Sequence, residues 1–157
     1  MDIVTLVTLI ANASIAASLI VLIIQIYSQR KENRFSTYEK LMSEFTNASL
    51  FLAEHQQIAE FLYGDDPEHT IPQNLFQSTR WASFYYLDAL LGLFERVWVA
   101  RQQGYFQRWS YWRNWISDLS KKAVFLELFE NTKQSYDPSF VQEVEEVIRQ
   151  NKKSKSG

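Results

Sequence analysis

The sequence predicts an all-α chain: a single N-terminal transmembrane helix joined to an antiparallel cytoplasmic bundle of four to five helices. Three observations carry this expectation. Ile3 to Gln29 is a run of 27 positions without a charge. As a helix it would measure about 40 Å, against about 30 Å for the hydrocarbon core of a bilayer. From Arg30 onward apolar residues recur at threes and fours, the helical period, and no stretch alternates as a strand would. Glycines and prolines fall between these periodic stretches, Gly92 excepted. The chain therefore divides into an anchor at 1–29, a bundle at 30–151 and a basic tail at 152–157.

Charge places the anchor. Asp2 is acidic where a signal peptide would be basic, and the apolar character continues past Ala11-Asn12-Ala13 to Ile26, so the run is expected to stay uncleaved. Arg30, Lys31 and Arg34 follow it at once. Basic residues beside a span stay on the cytoplasmic side, which puts the N-terminus outside and the bundle in the cytoplasm, at a plasma (inner) or other internal bacterial membrane. Tyr27 stands at the inner headgroup level. On a helical wheel Thr5, Thr8, Asn12 and Ala16 share one face, and Ser14, Ser18 and Gln25 cluster on nearly the opposite one. Small and hydroxylated residues let membrane helices approach, and an amide such as Asn12 gains about 1 kcal/mol from a partner across such an interface. The competing reading is that Ser and Thr bond back to their own helix carbonyls.

With no Pro or Gly between Tyr27 and Tyr63, the anchor is expected to run into a long helix ending at Gly64, its inner stripe Phe35, Tyr38, Met42, Phe45, Leu52 and Ala59. Asp65-Asp66-Pro67 reads as a turn. Pro72 opens a second helix that Gly104 stops; being apolar nearly all round, it is expected at the centre. A third is expected from Tyr105 to Leu119, and a fourth, capped by Ser120 and carrying Val124, Phe125, Leu128 and Phe129, is expected to end near Asn131 to Tyr136. Asp137-Pro138 supplies N-cap and N1 of the last, with Val141, Val144, Val147 and Ile148 facing inward. Lys152, Lys153 and Lys155 read as a disordered basic tail.

Composition excludes more chemistry than it suggests. With Asp2 the only charge before Arg30, the remainder holds 16 basic against 17 acidic residues, so there is no strong field for nucleic acid. No cysteine means no thiolate nucleophile and no Cys-ligated metal. Neither His55 nor His69 follows a Glu at the Glu-x-x-His spacing of a di-iron bundle, and there is no phosphate loop or nucleophile elbow. No cofactor, metal or catalytic residue is expected. Asp88 and Glu95 lie a heptad apart in apolar surroundings; if that face is internal they are expected to meet Arg96, Arg108 or Arg113, or to remain protonated. They read either as a buried network fixing helix register or as a docking point for a partner's basic residue. Trp81, Trp98, Trp109 and Trp112 are expected in the core, and Tyr111 and Trp115 at a partner or membrane surface.

Leu90-Leu91-Gly92-Leu93-Phe94-Glu95 followed by Tyr111-Trp112-Arg113-Asn114-Trp115-Ile116 resembles a bacterial family of proteins of unknown function with an N-terminal membrane helix and a helical cytosolic domain. The likeness extends loosely to Phe125, Phe129 and 137–141. It implies a membrane anchor and a small bundle, and no functional residue. The expected role is non-catalytic: an accessory, assembly or scaffolding subunit that binds another membrane protein, or itself, through the anchor and exposed aromatics. The alternatives are a self-assembling membrane effector of a stress or phage-defence system and a ligand- or metal-binding bundle around Asp88 and Glu95.

Overall fold

A computed structural model describes residues 2–64, 71–106 and 108–154, without the side chains at 4–6, 8–11 and 13. Among the described residues the chain is all-α. Its helices are α1 (Ile3–Glu54), α2 (Gln56–Tyr63), α3 (Gln73–Gln102), α4 (Trp109–Leu119), α5 (Ala123–Thr132) and α6 (Pro138–Ser154), with a 3-10 turn at Lys133–Ser135. They belong to two compact units, Met1–Thr37 and Tyr38–Gly157.

The first unit is one helical segment. Ile15 and every residue from Leu19 to Ile24 are at least half exposed. Asn12, Ser14, Ala16, Ser18 and Gln25 are exposed as well, and Ser18 Oγ donates to the Ser14 carbonyl at 2.8 Å, the back-bond open to helical serines. The side chains of Thr5 and Thr8 lie outside the described residues. Among the described residues no helix is long and apolar enough to cross a membrane. The span expected over Ile3–Gln29 therefore finds no support there.

In the second unit α3 is the core element. Leu87, Leu90, Leu91, Leu93, Phe94 and Val97 are each no more than 2% exposed, and each fully buried side chain of this kind contributes about 1.5–3 kcal/mol. α2 covers α3 with Ile58 and Leu62, α5 with Phe125 and Phe129, and α6 with Phe140 and Val144. The C-terminal part of α1 adds Leu41, buried, and the half-buried Met42, Phe45 and Leu52.

The expected uninterrupted helix to Gly64 breaks at His55. That residue leaves helical geometry at φ −113°, ψ 70°, while its Nδ1 lies 2.8 Å from the Phe51 carbonyl and its ring stacks on Phe51 at 4.0 Å. The break re-aims α2 so that Ile58 and Leu62 reach α3. Gly64 leaves the helix in extended rather than left-handed backbone, at φ −64°, ψ 155°. The turn expected at Asp65-Asp66-Pro67, and His69, lie outside the described residues.

α3 starts and stops where its punctuation requires. The Pro72 carbonyl accepts from the Leu75 and Phe76 amides, and Gly104, at φ 75°, closes the other end. The Gly104 amide donates to Arg101 and the Tyr105 amide to Ala100, each at 2.8 Å, the paired bonds of a Schellman motif. That motif ends one helix without opening the next, and Phe106 is buried beneath Tyr38 with the rings 5.4 Å apart. α4 consequently begins at Trp109 rather than Tyr105. Ser120 closes α4 instead of opening α5: its amide donates to Ile116 and its Oγ to the Ser117 carbonyl, both at 2.9 Å. α6 opens on Asp137, whose Oδ1 accepts from the Ser139 and Phe140 amides at 2.8 and 3.3 Å. It runs through Ser154 with Lys152 and Lys153 in its last turn, so the disordered tail expected from residue 152 is helical as far as 154; Lys155 lies outside the described residues.

Candidate functional site

Asp88 and Glu95 do not meet the arginines expected for them. Asp88 is exposed, and its Oδ1 accepts from Tyr136 Oη at 2.7 Å. Glu95 Oε1 accepts from the Asp137 amide. The heptad between them thus matches the reach of the junction before α6: the two carboxylates tie that junction to α3. Tyr136 is correspondingly hard to ionise, held up first by burial and then by its bond to Asp88.

The arginines are engaged elsewhere. Arg113 Nε donates to Glu143 Oε1 at 2.9 Å, beside Trp109 Nε1 at 2.8 Å on the same oxygen, and Arg113 Nη2 reaches Gln150 at 3.1 Å. With Asn151 Nδ2 bonded to the Ser117 carbonyl and to Ser120 Oγ, both at 2.7 Å, these contacts form a polar seam along α4 and α6. No local pattern marks Glu143 or Asn151 as the partners, because they lie 30 and more residues from the groups they bind. Arg96 pairs with Glu44 of α1 at 2.7 Å. Arg108 lines a cavity of about 460 Å³ together with Tyr38, Met42 and Trp112.

The aromatics divide differently from the expectation. Trp98, Trp109 and Trp112 are buried, and Trp81 is 61% exposed. Trp115 is half-buried, its ring 5.4 Å from Phe45, and Tyr111 is 48% exposed, 6.2 Å from the same ring. Phe45 also meets Trp112 edge-on at 5.0 Å. One α1 side chain therefore sits among three rings of α4, and such pairs are worth about 0.5–1.5 kcal/mol each beyond the area they bury.

Between residues 44–51 of α1 and 82–96 of α3 lies a groove of about 630 Å³. The two segments run in opposite directions: Glu44 pairs with Arg96 at one end, and Phe51 stacks on Tyr86 at 5.9 Å near the other. It is lined by Ala48, Ala82 and Ala89, by the rings of Phe51, Tyr85 and Tyr86, and by Leu93. Burial, and then the charge of Tyr63, pushes Tyr86 up to about 12. A trough lined by small and aromatic residues with one charged end fits an apolar helix or side chain. It holds no nucleophile paired with a base, and among the described residues no cluster of His, Asp and Glu could hold a metal ion. No protein-family model, curated protein or solved structure matches the chain.

Proposed function

We infer that the chain is a non-catalytic, single-pass membrane protein, set in the membrane by Ile3–Gln29 with its N-terminus outside and its bundle in the cytoplasm. Its role is that of an accessory, assembly or scaffolding subunit. It holds another membrane protein through the Asn12 face of the anchor and through the aromatic surfaces of the bundle. The observation that carries this reading is the combination of an uncharged 27-residue run with bulky apolar side chains exposed from Leu19 to Ile24. Water penalises such a surface by about 25 cal/mol per Å², and hydrocarbon does not. The basic cluster Arg30–Arg34 gives the orientation, and the trough between α1 and α3 supplies a place for a partner's side chains.

The test is a pull-down of the full chain in mild detergent with mass spectrometry, wild type against Asn12→Leu. A co-purifying membrane protein lost on the substitution is the expected result. A wild-type chain that brings down no membrane protein contradicts the reading.

A further inference from the structure

α3 is buried around most of its circumference, yet one stripe of it carries exposed side chains. On a 100° wheel Trp81, Tyr85, Asp88, Arg96 and Val99 all fall within about 40° of Gly92, over about five turns. Trp81 is 61%, Tyr85 73% and Val99 36% exposed, and Asp88 and Arg96 are exposed too. A Cβ added at Gly92 would meet nothing within 4 Å, so the protomer makes no use of the glycine for its own packing.

We propose that this stripe is the contact face of a two-fold dimer, in which α3 of a second copy lies antiparallel across it and crosses at Gly92. The register follows from the sequence. About a two-fold axis at position 92 each residue faces the one equally far on the other side. Asp88 then faces Arg96 and Arg96 faces Asp88, giving two opposite-charge pairs. Tyr85 faces Val99. Gly92 faces Gly92, where the missing side chain lets two backbones approach. A parallel arrangement in register would set Asp88 on Asp88 and Arg96 on Arg96, so charge alone selects the antiparallel one. Neither group must give up its present partner: Tyr136 occupies one oxygen of Asp88, and a guanidinium has five N–H donors, of which Glu44 takes only a share. The face belongs entirely to the Tyr38–Gly157 unit and stands whether or not the anchor reading holds.

The chain has no cysteine, which makes the crossing point testable. In the full chain in mild detergent, Gly92→Cys is expected to form a disulfide-linked dimer on mild oxidation, because the two-fold brings both Cα atoms to about 6 Å. Gln142→Cys, on an exposed position of α6, is expected to give at least about tenfold less, as a chance-collision control. The cross-link through position 92 is expected to survive Asn12→Leu. A Gly92→Cys yield no higher than that of Gln142→Cys, or one abolished by Asn12→Leu, overturns the proposal. Charge supplies the second measurement. Asp88→Arg and Arg96→Asp are each expected to weaken self-association about tenfold in sedimentation, and a mixture of the two to restore it, since opposite charges then face each other between the copies. Variants that associate like wild type, or a mixture no tighter than either alone, also overturn it.

Discussion

Glu143 does the work of two cross-links with one oxygen. It accepts from Trp109 Nε1 and from Arg113 Nε, and only 20% of its side chain is exposed, so its loss would strand an indole N–H and a guanidinium together. Glu143→Leu is expected to cost about 2 kcal/mol in urea unfolding, within the range for buried donors left unmade. Tyr136→Phe removes the hydroxyl that bonds the exposed Asp88 and Thr132 and is expected to cost about 1 kcal/mol in the same assay. Asp137 contributes to the acid limb. The Ser139 hydroxyl, then the Ser139 and Phe140 amides, hold its carboxyl below the ordinary 3.8. A folded-state value lower than the unfolded one stabilises the fold fully above the unfolded value, and that contribution is lost as pH falls through the folded one. Asp137→Asn, which can still cap, is therefore expected to match wild type in thermal stability at acid pH, to fall below it near neutrality, and to show a flatter limb below pH 3.8.

The helices themselves obey short-range signals wherever such signals are complete. Asp137-Pro138 and the Pro72 and Gly104 boundaries of α3 were legible because capping is settled within four or five residues. Gly104→Ala tests this: at φ 75° an added Cβ is expected to cost about 1 kcal/mol in urea unfolding, with the rest of α3 unchanged by circular dichroism. His55 was not legible. Nothing in Ala53 to Gln57 breaks a helix, and the break arises from the stacking of His55 on Phe51 and from the pull of Ile58 and Leu62 toward α3. The start of α4 was misplaced for a similar reason, since burial of Phe106 under Tyr38 is a contact across more than sixty residues. Phe45 shows how much such a contact can hold. Phe45→Ala removes the ring that meets Tyr111, Trp112 and Trp115, and is expected to cost about 3 kcal/mol and to expose Trp112 to collisional quenching.

At the scale of the whole molecule, pattern and partnership separate. Periodicity made α3 the central helix, and α3 is the core element; yet periodicity cannot distinguish a helix covered all round from one with an exposed stripe, so Trp81 was expected inside and stands 61% exposed. Charges were harder still to match. Asp88 and Glu95 serve the α6 junction, and Arg96 and Arg113 serve Glu44 and Glu143, pairings made by folding over tens of residues. The anchor is the reverse case. Its meaning lies in its composition, and the most direct measurement is fractionation of cells expressing the full chain, with the membranes washed in alkaline carbonate. A chain that stays in the membrane pellet, and moves to the soluble fraction when Ile20 and Ile23 are both replaced by Lys, is the expected result; a wild-type chain released by carbonate contradicts a membrane-anchored subunit.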